Sequence, residues 1–437
     1  MTVDQTGAAD KAVAPERKGR GSRHPGIVLA MLTFVYVLNF LDRQLLGILA
    51  KPIQDSLHIT DGQLGLIGGL YFAMFYCFIA IPVGWLADRT NRVMILTLAC
   101  AIWSGATIAC GLARTYPELV IARMTVGFGE AGGVPPSYAL ITDTFPPGRR
   151  GTAFGIFNLG PAIGAALGIA LGASIAAAFD WRDAFIAIGV VGIVAAIALP
   201  FVVPEPARGA TDTGGAYTDQ HKAPFWGTMR AFFANPVMAL VAFGGGATQF
   251  VTYGLGNFAV LFLMREKGML LTEVAVWYAL VVIVGMGGGM IASGKLIDRV
   301  TRHSRQGFAI APAVSLAIAA PFYLGFVWAP SWPLALCLLT IVNFFNYFYL
   351  SCAVTLVQGE AAPNQRVLAG ALLLLVMNFI GLGLGPTWTG AASDWFAANG
   401  ARNSLQLALY TLTPFYAVAI GLFLMLARTL RNQETGR

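Results

Sequence analysis

The chain has 437 residues, of which 57% are hydrophobic and only 11% are charged. Soluble domains carry about 25% charged residues, so this composition excludes an ordinary soluble protein and indicates a surface covered by lipid. The net charge is +7, and the positions of the basic residues along the chain are more informative than this total.

A basic segment precedes the first apolar run. Residues 1–26 contain no apolar run, and their five basic residues are Lys11, Arg17, Lys18, Arg20 and Arg23. The apolar run that follows is longer than the hydrophobic region of a signal peptide and has no small-residue cleavage site after it. We therefore predict that residues 1–26 form a disordered cytoplasmic tail that leads into a transmembrane helix.

Apolar segments recur along the whole chain. A helix that crosses the hydrocarbon core of a bilayer needs about 20 apolar residues, and twelve segments meet this requirement. In chain order we number them span 1 to span 12: 27–50, 62–87, 93–113, 118–142, 151–179, 183–203, 236–264, 272–297, 307–328, 332–358, 366–396 and 404–428. The sequence thus predicts an all-α membrane protein with twelve transmembrane helices in two six-helix bundles, 27–203 and 236–428, joined by a cytoplasmic loop, 204–235, and followed by a cytoplasmic tail, 429–437.

The basic residues between the spans predict the orientation. If the N-terminus is inside, the inner segments carry 19 lysine and arginine residues and the outer segments carry 6. Because cytoplasmic loops are enriched in these residues, both termini are predicted to be cytoplasmic. No Asn-x-Ser/Thr sequence is present, which favours a bacterial source. We expect a multi-pass protein of the cell (inner) membrane.

One loop pattern occurs twice, 210 residues apart, after span 2 and after span 8. Both copies read G-x-x-x-D-R-x-x-R, and their residues are Gly84, Asp88, Arg89, Arg92 and Gly294, Asp298, Arg299, Arg302. Two halves in the same orientation form the parallel repeat of one large class of transporters. We explain the glycine by close approach of a neighbouring helix and the aspartate by an ionic partner at a helix end, and we predict that the eight residues gate the inner side.

These two loops resemble the signature loops of the major facilitator superfamily. Four segments of the first half are also similar to the Spinster branch: Asn39-Phe-Leu-Asp42-Arg43, the first loop copy, Arg123-Met-Thr-Val-Gly127-Phe-Gly129-Glu130-Ala131 and Glu205-Pro-Ala-Arg208-Gly209. The second half matches only at the level of the superfamily. The resemblance implies two six-helix bundles, alternating access, and substrates such as lysophospholipids or sphingoid phosphates.

Four charged residues of the first half lie well inside predicted spans: Asp42 and Arg43 in span 1, and Arg123 and Glu130 in span 4. An ionisable group in the membrane costs at least ~2.5–3.5 kcal/mol and indicates function. Arg123 and Glu130 are two helical turns apart on one face, about 10 Å along the axis. Spans 1 and 4 adjoin the central cavity in the superfamily that the chain resembles, so we expect one cluster of four charges.

The cluster predicts two roles. We assign proton coupling to Glu130 and Asp42, because burial raises the pKa of a carboxyl group, a nearby arginine lowers it, and movement of a cavity wall changes both effects. We assign substrate binding to Arg43 and Arg123, because a guanidinium group binds phosphate or carboxylate through two hydrogen bonds. The alternative is a static salt-bridge network that holds an outer gate closed. In Spinster-like proteins the matching acids and the arginine of span 1 are associated with function.

Spans 7 and 10 combine amide and aromatic side chains. We predict that this wall faces the arginines and binds the substrate through Gln249, Tyr253, Asn257, Asn343, Asn346 and Tyr347. A polar, aromatic wall opposite two arginines suits an amphiphile with a charged head. The alternative is ordinary packing between helices.

The predicted function is a proton-coupled secondary transporter, symporter or antiporter, of anionic amphiphiles. The second hypothesis is a proton-coupled carrier of water-soluble organic anions or drugs. No His–Asp pair, metal-ligand spacing or glycine-rich phosphate loop is visible, so we expect no enzyme activity, no cofactor and no metal site. The expected partners are a small-molecule or lipid substrate, protons and membrane lipids, with no nucleic acid, and the expected state is a monomer.

Overall fold

The structure is a computed structural model that describes residues 24–87, 89–207, 225–300, 304–362 and 365–435. This part of the chain is nearly all helical. Eleven of the twelve predicted spans are long and apolar enough to cross a membrane: Pro25–Ile48, Asp61–Ala87, Arg92–Leu112, Gly148–Ala178, Trp181–Val202, Pro236–Lys267, Leu271–Gly294, Gly307–Trp328, Trp332–Glu360, Leu368–Ala398 and Ser404–Glu434. They are spans 1–3 and 5–12, and their ends lie within a few residues of the predicted ones.

Span 4 is a broken helix rather than a continuous one. It consists of Tyr116–Glu130 and Val134–Thr144, with a short turn between them. Gly132 and Gly133 occupy this turn, and two prolines follow in the first turn of the second helix, where a missing N–H group is tolerated. Irregular backbone at membrane depth requires burial in protein or contact with a cavity, so the break marks the end of the first helix, at Glu130, as a special position.

Several other spans contain local irregularities. Span 2 is interrupted at Gly69, between Asp61–Gly68 and Leu70–Ala87. The described residues of the second half contain three π-helical turns, two in span 8 and one in span 11: Val274–Tyr278, Ile283–Gly287 and Phe379–Leu384. Such turns are frequent at functional sites.

In the part of the chain that the structure describes, two short helices lie outside the spans, Ala50–Leu57 and Phe225–Ala234. The second lies at the end of the predicted central loop, where the sequence analysis predicted no helix. Its Phe232 is 1% exposed and its Trp226 is 72% exposed, so one face packs on the protein and the other face does not.

The two halves meet along three pairs of spans. Span 2 packs on span 11, span 1 packs on span 7, and span 5 packs on span 8. Each pair contains one helix from each half, and the space between them contains the candidate site.

Candidate functional site

The four charged residues of spans 1 and 4 come together as two ion pairs. Arg43 Nε donates a hydrogen bond of 2.5 Å to Glu130 Oε2. Arg123 Nη1 lies 3.8 Å from Asp42 Oδ1. All four side chains are at least nine-tenths buried, with exposed fractions of 9%, 0%, 3% and 2% for Arg43, Glu130, Arg123 and Asp42. The cluster has two positive and two negative groups, so it is neutral when both acids are ionised.

Thr107 of span 3 is a further member of the cluster that the sequence analysis missed. Its hydroxyl lies 2.8 Å from Asp42 Oδ2 and 2.8 Å from the Trp103 carbonyl oxygen. A hydroxyl has one proton to donate, so the carboxylate competes with the backbone for it. The hydroxyl of a threonine in an apolar helix commonly donates to a backbone carbonyl oxygen of the preceding turn. A threonine in span 3 therefore gives no sign in the sequence that it contacts Asp42.

Several buried polar atoms of the cluster have no hydrogen-bond partner among the described residues. They are Asp42 Oδ1, Glu130 Oε1, Arg123 Nε and Nη1, and both side-chain polar atoms of Asn39. Asn39 belongs to span 1, one turn before Asp42. An unsatisfied buried polar group costs about 1–3 kcal/mol, so the cluster retains hydrogen-bonding capacity that a proton or a ligand can use.

A cavity opens beside the cluster and between the two halves. Its volume is about 90 Å³, and both Arg43 and Arg123 line it. Drug-sized ligands occupy pockets of about 300–1,000 Å³, so this cavity has to widen before it can hold an amphiphile.

Four of the six predicted residues in the second half line this cavity: Tyr253, Asn257, Asn343 and Tyr347. Among the lining residues that the sequence analysis did not select are Phe40, Gln44 and Tyr278.

Gln249 and Asn346 do not belong to the cavity wall that the structure describes. Asn346 is 1% exposed and accepts a hydrogen bond of 3.1 Å from the Tyr416 hydroxyl. Gln249 is 6% exposed and packs against Gly381 of span 11. Gln249 lies about one helical turn from the lining residue Tyr253, and Asn346 lies about one turn from the lining residue Asn343. The prediction therefore selected the right region of each helix but included one residue too far along it.

Spans 2 and 11 are in backbone contact through glycine. A Cβ atom on Gly65 would lie 2.4 Å from the Pro386 carbonyl oxygen, and one on Gly69 would lie 2.7 Å from that of Gly383. Real Cβ atoms do not approach other atoms closer than 3.0 Å. Any side chain at these positions would therefore separate the two halves. We call this contact the glycine seam.

A polar network covers one end of the glycine seam. Asp61 of span 2 accepts hydrogen bonds from Arg265 at 2.6 and 3.0 Å, from Ser393 at 2.6 Å and from Gln54 at 2.7 Å. Asp394 of span 11 accepts a bond of 2.6 Å from the Thr60 hydroxyl. This outer clasp joins the halves at the end that the basic residues predict to be outside.

The first copy of the duplicated loop forms contacts within its own half. Arg92 donates to Asp143 of span 4, to Glu205 at 2.7 Å and to the Pro206 carbonyl oxygen at 2.8 Å. Arg89 lies over the ring of Trp85, 4.0 Å from its centre.

The explanation of Gly84 and Gly294 by close helix approach is wrong. Among the described residues, a Cβ atom at either position would meet nothing within 4 Å. Of the other predicted gating residues, Asp88 and Arg302 lie outside the described residues, and Asp298 and Arg299 are described only as part of the helix Gly288–Val300.

The second half has a counterpart of the Arg92 network. Arg305 precedes span 9 and donates to Glu360 at the end of span 10. Its backbone N–H donates a bond of 2.7 Å to Glu434 at the end of span 12. In each half, an arginine at the start of the third span (Arg92 or Arg305) thus contacts acids near the ends of the fourth and the sixth span of that half.

Comparison with known proteins agrees with this geometry. Residues 32–386 match the family model of the Major Facilitator Superfamily. A relative in Mycolicibacterium smegmatis, an MFS-type efflux pump, is 28% identical over 90% of this chain and 90% of its own. Protein spinster homolog 3 of Danio rerio is 26% identical over 94% of this chain and 86% of its own.

Two solved structures of a bacterial homolog of the human lysosomal transporter Spinster are similar to this chain. The inward-facing, unoccupied structure has a TM-score of 0.85 and 30% identity, covering 94% of this chain and 98% of that chain. The inward-facing, occupied structure has a TM-score of 0.80 and 29% identity, covering 92% and 96%. The chain therefore belongs to the major facilitator superfamily, as a multi-pass membrane transporter of the Spinster type.

Proposed function

We propose that the protein is a proton-coupled secondary transporter that moves anionic amphiphiles, such as lysophospholipids or sphingoid phosphates, by alternating access. The observation that carries the proposal is the position of the buried cluster: two arginines, each paired with an acid, line a cavity between the two halves. The class of substrate itself is the one that the resemblance to the Spinster branch implies.

The arginines supply the site for the anionic head. A guanidinium group can donate two parallel hydrogen bonds to a phosphate, and Arg123 has two nitrogen atoms without a hydrogen-bond partner among the described residues. Across the cavity, Tyr253 and Tyr347 offer ring surface and hydroxyl groups. This combination of charge and aromatic surface suits a molecule with an ionic head and an apolar body.

Charge balance supplies the coupling. The cluster is neutral with both acids ionised, and an anionic head would leave this largely buried site with a net negative charge. A buried uncompensated charge is costly. A proton on Glu130 removes this charge and frees Arg43 for the ligand, so the anion and the proton are expected to bind together.

Alternating access requires the two bundles, 27–203 and 236–428, to move as bodies. The outer clasp and the glycine seam join the two bundles at one end. Opening to that side requires the contacts of the clasp and of the seam to break. We propose that the duplicated loops gate the opposite, cytoplasmic side, that both termini lie there, and that the transporter works as a monomer.

The second candidate is the transport of water-soluble organic anions or drugs. The relative named an efflux pump and the cavity volume of about 90 Å³ favour it. Both candidates use the arginines for an anion and differ in the apolar part of the substrate.

The test compares the two substrate classes in liposomes that contain the purified protein. Fluorescent lysophosphatidic acid is placed in the inner leaflet, and its arrival outside is measured by extraction into albumin. We expect wild type to accelerate this transfer, and Arg43→Ala to abolish it. Unaccelerated lipid transfer together with rapid uptake of benzoate or another small anion would replace the first candidate with the second.

A further inference from the structure

The guanidinium group of Arg43 is surrounded by aromatic rings as well as by its acid. Its Cζ atom lies 4.4 Å from the ring centre of Tyr76, 4.9 Å from that of Phe40 and 5.5 Å from that of Phe72. Phe72 and Tyr76 are one turn apart on span 2, and their rings are stacked with centres 5.7 Å apart. We call the three rings the aromatic cage.

Phe72 also contacts the second arginine. Arg123 Cζ lies 5.3 Å from the centre of its ring, so one ring serves both cations of the cluster. Phe72 is 1% exposed, and a Cβ atom on Gly127 of span 4 would lie 2.6 Å from its carbonyl oxygen. Close contact between spans 2 and 4 therefore determines where this ring stands.

The rings and the acid attract Arg43 in different ways. A carboxylate attracts a guanidinium group only while it is ionised. A ring attracts it through its negative face, which has no proton to gain, and this attraction is stronger away from water. A guanidinium group can stack on rings and still use its edges for hydrogen bonds. The aromatic cage therefore acts on Arg43 in both protonation states of Glu130.

We propose that Phe72 and Tyr76 are positioning residues that hold Arg43 at the cavity wall when Glu130 is protonated. An anionic head then meets an arginine that is already in place, rather than one that has to be ordered again at an entropic cost. That the ligand is an anion rests on the proposed function, whereas the placement of Arg43 does not.

The first experiment needs no substrate. NMR of protein with ¹⁵N-labelled arginine in lipid nanodiscs detects the Nε–H signal of Arg43, which is assigned by its loss in Arg43→Lys. Glu130→Gln removes the acid's charge as protonation does, and we expect the signal to keep the ring-current shift that ring faces cause. Adding Phe72→Leu and Tyr76→Leu leaves only the Phe40 ring of the cage and should move the signal toward the position of exposed arginines.

Matched variants separate this role from a loss of folding. Tyr76→Phe keeps the ring and should keep the shift, and Phe78→Leu removes a ring on the same span that is 54% exposed and should change nothing. The proposal is overturned if Glu130→Gln alone abolishes the shift, or if the double leucine variant retains it in protein that elutes as wild type on gel filtration.

The second experiment measures binding of dodecyl phosphate at low pH, where Glu130 is protonated. We expect the leucine variants to bind about fivefold or more weakly and Tyr76→Phe to bind as wild type. Equal binding by the leucine variants and wild type contradicts the positioning role. Failure of wild type to bind dodecyl phosphate at all contradicts the proposed function instead, and the NMR result then decides the positioning role alone.

Discussion

Arg43 of span 1 and Glu130 of span 4 are joined by a hydrogen bond of 2.5 Å although 87 positions separate them in the chain. Glu130 is the last residue of the first helix of span 4, directly before the glycine turn. A small change in this turn would move the acid relative to the arginine. The pair therefore links the break in span 4 to the wall of the cavity.

The first prediction concerns the geometry of Arg43. Arg43→Lys keeps the positive charge but loses the planar fork and the stacking on rings. We expect the KM for an anionic amphiphile to rise about tenfold or more, because roughly 1.4 kcal/mol of binding corresponds to a factor of ten. Transport assays in liposomes measure this change. Arg114→Lys, at an exposed position outside the cluster, is the matched control, and an equal loss in both variants would contradict the assignment.

The second prediction concerns Thr107. Thr107→Val preserves the shape of the side chain and removes the hydroxyl that approaches Asp42. We expect a loss of about 1–3 kcal/mol in stability, because a buried charged group loses a partner. Thermal unfolding in detergent measures it, and Thr107→Ser should retain most of the stability. If valine and serine behave alike, the hydroxyl does not hold Asp42.

The third prediction concerns the glycine seam. Gly65→Ala places a methyl group where the Pro386 carbonyl oxygen stands, so the halves can no longer close at that end. We expect the variant to favour the conformation open to the outside. A cysteine at Gln44, which lines the cavity, should then react with a water-soluble maleimide added outside several times faster than it does without Gly65→Ala.

A control glycine tests whether the seam itself is responsible. Among the described residues, a Cβ atom on Gly105 would meet nothing within 4 Å, so Gly105→Ala should leave the labelling rate unchanged. Equal labelling rates in Gly65→Ala and Gly105→Ala would show that the seam does not control the outer side.

The fourth prediction concerns the outer clasp. Asp61→Asn removes the charge that Arg265 binds through two nitrogen atoms, although the amide can still accept hydrogen bonds. Arg265 is 31% exposed, so water compensates part of the loss, and we expect about 1–2 kcal/mol less stability for the closed outer end. The same maleimide assay should respond in the same direction as for Gly65→Ala, but by less. A slower reaction than in wild type would contradict this role.

The twelve-helix architecture was predictable because each span contains about 20 apolar residues between polar loops. The repeated loop and the Arg43 and Glu130 positions were predictable because charge is rare inside a membrane. Both kinds of signal are local in the chain. The break in span 4 also left a local signal, in the glycines and prolines that follow Glu130, which the apolar composition of the segment concealed.

Other features depend on neighbours that the sequence does not name. Gln249 and Asn346 were selected by residue type, but only their contacts with Gly381 of span 11 and with Tyr416 show that they are packed against other helices one turn away from the cavity wall. In the sequence, Phe72 is indistinguishable from other apolar residues of a membrane helix. Only the structure shows its contacts with Arg43 of span 1 and Arg123 of span 4. The outer clasp was missed because Asp61 and Arg265 lie near loop ends, where charge is ordinary.

The most direct test of proton-coupled transport of an anion is proton movement driven by lysophosphatidic acid into liposomes that contain a pH-sensitive dye. We expect acidification with wild type, no acidification with Glu130→Gln, and wild-type behaviour with Glu118→Gln, an exposed acid at the start of the same span. Lipid transfer at equal rates in wild type and Glu130→Gln, without proton movement in either, would show that the protein is a facilitator and that Glu130 does not couple protons to transport.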